Sequence, residues 1–141
     1  METTKRTQLT IEATINAPVA KVWQYWNEPQ HIMNWAFASP DWHAPAATND
    51  LQPGGKFSTT MAAKDGSFSF DFGGVYDEVE ENKLIAYTLG DDRKVRNTFN
   101  EEGGKTHIIS VFEAEDTNPI EMQQAGWQAI LDNFKQYTES N

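Results

Sequence analysis

An apolar stripe near the end of the chain constrains its fold more than any other feature. Four apolar residues stand at i, i+3, i+4 and i+7, the spacing of one helical face: Trp127, Ile130, Leu131 and Phe134. We therefore predict one long helix from near Asn118 almost to the C-terminus. In residues 57–114, apolar residues instead alternate with polar ones between glycine turns, which predicts an antiparallel sheet. A curved sheet that buries this stripe usually encloses a cavity.

One strand and two short helices are expected before that sheet. Residues 9–15 alternate between apolar odd positions and polar even positions, as a half-buried strand does. The next residues place Val19, Val22, Trp23 and Trp26 on one helical face, and Pro29 divides this helical stretch into two. Residues 37–50 contain two prolines and several alanines, so we expect a connecting segment with room for one short strand.

A hairpin rich in phenylalanine should follow. Its inward residues are predicted from their alternation: Phe57, Thr59 and Met61, then, after the turn at residues 65 and 66, Phe68, Phe70 and Phe72. Gly73 and Gly74 predict a bulge or a close backbone approach, with Val75 and Val79 buried beyond it. Three more strands are expected at residues 83–89, 93–100 and 105–115.

The start and the interior of the final helix carry local signals. Asn118, Pro119 and Glu121 match an N-cap, a first helical residue and a capping-box acid. Glycine costs about 1 kcal/mol relative to alanine inside a helix, so Gly126 predicts that the helix backbone approaches the sheet there. Trp127 would then lie at one end of the cavity.

The amino-acid composition limits the choice of cellular compartment and of binding partners. Eleven basic and twenty-one acidic residues give a net charge of −10, which disfavours binding to nucleic acid or to an anionic membrane surface. There is no cysteine, so disulfides and thiol chemistry are excluded. We find no signal peptide and no membrane-spanning run, and we predict one cytoplasmic domain over residues 1–141. The oligomeric state is left open.

These residues also resemble a known family. The similar segments are residues 17–23, Trp26, Trp35, Trp42, residues 51–57, the turn at residues 65 and 66, residues 74–79 and residues 126–134. They resemble the activator of heat shock protein 90 ATPase homologue family, of the START-like (SRPBCC) superfamily, over nearly the whole chain. The resemblance implies an α+β helix-grip fold, as in the birch pollen allergen. That fold is a curved antiparallel sheet of six or seven strands around a long C-terminal helix, with two short helices after the first strand.

The candidate binding residues are those expected to line a cavity or its rim: Trp35, Trp42, His43, Phe57, Met61, Phe70, Phe72, Tyr87, Asn97, Trp127 and Phe134. Trp35, at a helix end, and Trp42, in a loop, are expected at the rim, with His43 beside them. Close packing in the core is the competing interpretation of the inner rings.

Several other sites are weak candidates. Asp41 and His43 have no further ligand at metal spacing, because His31 and His107 lie on separate predicted elements. Residues 54–58 lack the glycine spacing of a phosphate-binding loop. The basic residues in 93–96 fit a solvated strand edge. We therefore predict neither a metal nor another cofactor.

Three functions agree with this interpretation. An aromatic-rich cavity without a catalytic pair favours a protein that binds a small hydrophobic or aromatic molecule, with no catalytic residues. A polyketide cyclase or aromatase is the first alternative, since the inward hydroxyl and amide groups of Thr59, Tyr87, Asn97 and Ser110 could orient a substrate. A chaperone ATPase-regulating module, with a chaperone as partner, is the second, and it rests on the family resemblance.

Overall fold

The computed structural model describes residues 7–141 and confirms the helix-grip architecture. In these residues the elements are, in order, β1 (Gln8–Ile15), α1 (Val19–Asn27), α2 (Pro29–Ile32), β2 (Trp42–Asn49), β3 (Lys56–Ala63), β4 (Ser69–Glu80), β5 (Leu84–Leu89), β6 (Lys94–Glu102), β7 (Lys105–Glu113) and α3 (Ile120–Ser140). The strands form one curled antiparallel sheet in the order β1-β7-β6-β5-β4-β3-β2. None of the helices in this part of the chain is long and apolar enough to cross a membrane.

The apolar stripe of α3 packs inside the curve of the sheet, as predicted. Leu131 and Phe134 are fully buried, while Trp127 and Ile130 are half-buried against the same core. The Trp127 ring stacks on Phe112 of β7 with ring centroids 4.0 Å apart and planes within 6°. The helix and the sheet therefore share one hydrophobic core. The apolar residues of α3 recur every 3.6 residues and those of the strands every two residues, and the two apolar faces meet.

Polar side chains of α3 also bind the edge of the sheet. β1 pairs only with β7, so every second backbone carbonyl of β1 points away from the sheet. Gln124, Gln128 and Lys135 donate hydrogen bonds to the carbonyl oxygens of residues 10, 12 and 14, at 3.1, 3.2 and 2.8 Å respectively. The helix thus satisfies backbone acceptors that no neighbouring strand reaches.

The opposite edge strand is longer than its sequence suggested. β2 covers eight residues of the expected connecting segment, and Trp42 and His43 begin this strand, so the prediction of a loop there was wrong. Its register with β3 shifts between His43 and Ala46, which places Pro45 in the irregularity. Proline has no N–H to donate, but an edge strand with a bulge does not need that donor.

The start of α3 is built differently from the predicted capping box. The helix begins after Pro119, and no side chain caps it. Asn118 instead donates to Glu115 Oε1, from its backbone nitrogen at 2.8 Å and from Nδ2 at 2.6 Å. Gln123 holds the turn from within the helix, since its Nε2 donates to the Asn118 carbonyl at 2.7 Å and its Oε1 accepts from the Glu115 nitrogen at 2.8 Å.

Gly73 and Gly74 mark the close backbone approach that was expected. A Cβ atom on Gly74 would collide with the carbonyl oxygen of Thr88 on β5, and one on Gly73 would collide with that of Phe57 on β3. The register of β4 shifts only later, between Tyr76 and Glu78.

The late shift decides which residues of β4 face inward. Tyr76 is buried, whereas Val75 is 38% exposed, so the prediction that Val75 faces the core was wrong. The prediction for Gly126 was also wrong, because no atom beyond its chain neighbours and its own helix backbone lies within 4 Å of the position that its Cβ would take. The helix backbone therefore does not approach the sheet at Gly126.

Candidate functional site

A cavity of about 340 Å³ lies between the concave face of the sheet and α3. Its wall is mainly apolar and includes aromatic rings from both the helices and the sheet, among them Trp26 of α1, Phe57 of β3, Tyr87 of β5 and Trp127 of α3. Small-molecule sites in proteins typically have volumes of roughly 300–1,000 Å³ and mainly apolar walls. The cavity is therefore large enough for a molecule with one or two rings.

The structure brings most of the candidate binding residues together. Those that line the cavity are Trp35, Phe57, Met61, Phe70, Phe72, Tyr87, Asn97 and Trp127. Most of them occupy alternate positions on β3, β4, β5 and β6, so the period-two pattern placed them on one face. Phe134, Trp42 and His43 are not among the residues that line it.

Phe134 belongs to the packed core below the cavity. It is fully buried, and its ring meets those of Trp26 and Trp35 edge to face, with centroids 5.0 and 4.8 Å away. Trp35 lines the cavity but is only 7% exposed, so it is an interior wall and not the predicted rim. Its Nε1 donates to the Tyr25 carbonyl at 2.9 Å, which fixes the ring in this position.

Trp42 lies at the start of β2, opposite Ala63 at the end of β3. Its ring contacts Phe68 and Phe70, with centroid distances of 6.0 and 6.1 Å. Phe68 precedes β4 and is 59% exposed, which corrects the expectation that it faces inward. Only Phe70 of this trio also lines the cavity, so Trp42 is one ring removed from it.

A buried polar pair interrupts the apolar wall. Ser110 of β7 donates from Oγ to Asn97 Oδ1 at 2.6 Å, and Asn97 Nδ2 donates to the Ile85 carbonyl at 3.3 Å. Both side chains are 2% exposed and line the cavity. Asn97 and Ser110 are directly opposite each other in the register of β6 and β7. Each therefore supplies a hydrogen-bond partner for the other inside an apolar face.

We expect Ser110→Ala to lower the free energy of unfolding by about 1–2 kcal/mol, because Asn97 loses a buried hydrogen-bond donor. Urea denaturation of the variant and the wild type would measure this loss. Ser69→Ala is the matched control, since Ser69 is an exposed strand residue, and it should change stability by less than about 0.5 kcal/mol. Equal effects of the two substitutions would contradict the role assigned to Ser110.

Two tyrosine hydroxyls complete the polar part of the wall. Burial raises the pKa of Tyr87, and the neighbouring Tyr76 raises it further. Burial also raises the pKa of Tyr76, whose hydroxyl donates to Asn49 Oδ1 at 2.5 Å. Asn49 in turn donates from Nδ2 to the Asn27 carbonyl at 2.7 Å, which ties the wall to α1. Both phenols therefore stay neutral at physiological pH and can donate hydrogen bonds.

Several polar residues of the cavity wall escaped the list of candidate binding residues, among them Tyr76, Arg93 and Gln123. Tyr76 has the parity of Phe70 and Phe72, and it was missed because the bulge was expected before it, at Gly73 and Gly74, whereas the register shifts only after it. Arg93 was grouped with its basic neighbours as an exposed edge, which holds for Lys94 and Arg96 but is wrong for Arg93, whose side chain is only 15% exposed. The alternation of the sequence could have indicated this position, since Arg93 lies on the same face of the strand as the inward residues Val95 and Asn97.

The histidines lie away from the cavity wall. His31 Nδ1 is 2.7 Å from the Tyr137 hydroxyl, and its ring stacks on Tyr25. His107 is on the outer face of β7, with Nε2 at 3.1 Å from Glu12 Oε1. No three His, Asp or Glu side chains within residues 7–141 are grouped so that they could hold a metal ion.

Comparison with known proteins identifies the family. Residues 16–139 match the sequence profile of the Activator of Hsp90 ATPase homolog 1-like protein family. The chain belongs to this family. The fold of this family agrees with the observed architecture, a seven-stranded sheet curled around α3. No curated protein matches the chain significantly.

Solved structures share the AHSA1-like fold over nearly their full length. The solution structure of an AHSA1-like protein from Aeromonas hydrophila is 43% identical, with a TM-score of 0.89, and the match covers 95% of this chain and 93% of that one. A protein from Cytophaga hutchinsonii is 63% identical, with a TM-score of 0.82 and the same coverage. A crystal structure from Nitrosomonas europaea is 18% identical with a TM-score of 0.80, covers 94% of each chain and shows the fold alone.

Proposed function

We propose that this AHSA1-like protein binds a small hydrophobic or aromatic molecule between its sheet and α3. The observation that carries the proposal is the cavity of about 340 Å³ with a mainly apolar wall that includes several aromatic rings. A close-packed core holds few voids larger than a water molecule, so a void of this size is a feature that needs an explanation. A bound molecule with an apolar body is the explanation that fits the wall.

The few polar groups of the wall support binding in one orientation. The hydroxyl oxygens of Ser110 and Tyr76, whose protons are already used, can accept hydrogen bonds at fixed positions, and the neutral Tyr87 hydroxyl adds a third polar group. An apolar wall with a small number of fixed polar groups is typical of sites that select a ligand by shape and orientation. The family and the fold are compatible with this role.

Filling the cavity should abolish binding without unfolding the protein. Thr59 is buried on the inner face of β3 and lines the cavity, so the ring in Thr59→Phe would occupy the space of a ligand. We expect the wild type to raise the fluorescence of the uncharged probe N-phenyl-1-naphthylamine and the variant to lose this response. Titration with the probe and a thermal melt of each protein would measure binding and folding separately.

Thr60→Phe is the matched control, because the next residue on β3 points to the outer face, where its hydroxyl donates to Asp71 at 2.7 Å. It should bind the probe as the wild type does. A wild type that does not bind the probe, or a folded Thr59→Phe protein that still binds it, would refute the proposal. Consumption of a poly-keto compound by the wild type would instead favour the cyclase alternative.

A further inference from the structure

Arg93 is a cation in the wall of a mainly apolar cavity. It stands directly before β6, on the face that also carries Val95 and Asn97, and its side chain is 15% exposed. Arg96, on the opposite face of the same strand, is 55% exposed and lies 3.6 Å from Glu78. The two arginines thus differ in environment, although both belong to one basic cluster in the sequence.

The turn between β5 and β6 fixes the position of Arg93. The Leu89 nitrogen donates to the Arg93 carbonyl at 2.8 Å, and Asp92 takes a left-handed backbone with φ 70° to close the turn. Arg93 Nε donates to Asp91 Oδ2 at 2.7 Å, and this carboxylate is half-exposed. The guanidinium is therefore held from its solvent side by Asp91.

The terminal nitrogens of Arg93 make no hydrogen bond with the part of the chain that the structure describes, residues 7–141. A guanidinium has five N–H donors, so its terminal groups are available to an acceptor inside the cavity. Burial and Tyr76 raise the pKa of Tyr87, while Asn97 and the Arg93 cation act in the opposite direction. The positive charge of Arg93 therefore acts at the hydroxyl of Tyr87, inside the cavity.

One carboxylate also lines this cavity, that of Glu115. Its Oε1 already accepts two hydrogen bonds from Asn118, at 2.8 and 2.6 Å, in the turn before α3. Glu115 is thus engaged in its own turn, which leaves Arg93 as the charged group of the wall with unused donors. A planar guanidinium forms two parallel hydrogen bonds with a carboxylate, and this pairing is strongest where water is excluded.

We propose that the ligand is amphipathic, with one carboxylate that pairs with Arg93 and an apolar body that lies against the rings of the cavity. This inference rests on the proposed function and adds the chemical class of the ligand. The chain carries a net charge of −10, which disfavours anions in general. Selective binding of a carboxylate would therefore depend on the local field of Arg93.

The test compares 2-naphthoate with 2-naphthamide, two compounds of the same shape of which only the first is charged. Each would displace the neutral probe N-phenyl-1-naphthylamine from the wild type. We expect 2-naphthoate to bind about tenfold more tightly, as a charge-assisted hydrogen bond allows. Arg93→Gln should remove this preference and still bind the probe, and Arg93→Lys should retain part of it.

Arg96→Gln is the matched control, because it removes the same charge from the outer face and should keep the full preference. Equal binding of the two compounds by the wild type would overturn the inference and leave the binding cavity in place. So would a preference that survives in Arg93→Gln. A wild type that binds neither the probe nor either compound would refute the proposed function itself, and the inference with it.

Discussion

Phe134→Ala is expected to lower the free energy of unfolding by about 3–5 kcal/mol. Phe134 is fully buried on α3, and its ring meets Trp26 and Trp35 edge to face. The substitution removes that ring from between α1, α3 and the segment after α2, and rigid aromatic neighbours cannot collapse into the space. Urea denaturation, with the midpoint and the slope fitted separately, would measure the loss.

Met122→Ala is the control on the same helix. Met122 is 61% exposed, so removing its side chain leaves no internal cavity and should change the free energy of unfolding by less than about 0.5 kcal/mol. If the two alanine variants had the same midpoint, Phe134 would not be the centre of the contact between the helices.

Gly74→Ala is expected to cost about 3 kcal/mol, near the upper end of overpacking effects. A Cβ atom there would collide with the carbonyl oxygen of Thr88, which is backbone in the middle of the sheet. Either the pairing of β4 with β5 must open or the strands must shift, and both disturb the register that buries Tyr76. Thermal and chemical denaturation of the variant would show the loss.

Gly126→Ala is the opposite case of the same substitution. No atom beyond the chain neighbours and the helix's own backbone lies within 4 Å of the Cβ position at Gly126, and alanine is favoured over glycine inside a helix. This variant should gain about 0.5–1 kcal/mol of stability. A loss of stability at Gly126, or an unchanged midpoint at Gly74, would contradict the backbone distances on which both expectations depend.

The periodic parts of the sequence predicted the fold well. The stripe from Trp127 to Phe134 identified α3, and alternation identified β1 and the strands from β3 to β7, because each pattern reports directly which face is buried. β2 was underestimated, since Pro45 weakens a strand pattern and the bulge that accommodates it leaves no mark in the sequence. The start of α3 was misassigned because Gln123, three residues inside the helix, bonds the turn in place of a cap.

The cavity wall was predictable where parity was unbroken. Phe57, Met61, Tyr87 and Asn97 all follow from alternation, and all line the cavity. Tyr76 continues the same alternation, but it was missed because the bulge was expected at Gly73 and Gly74, whereas the register shifts only after Tyr76. Arg93 also lies on the inward face by alternation, but a cation in a basic cluster is usually solvated. Only the turn at Asp91 and Asp92 shows why the Arg93 side chain is mostly buried.

The hydrogen bonds from α3 to the edge of β1 have a consequence for self-association. An unpaired edge strand is a template on which another chain can add a strand, the first step toward aggregates. On β1 the acceptors of residues 10, 12 and 14 are already occupied by Gln124, Gln128 and Lys135. At the other edge, Pro45 and its bulge break the continuity of β2. The same helix that closes the cavity thus keeps the sheet from growing into a neighbouring molecule.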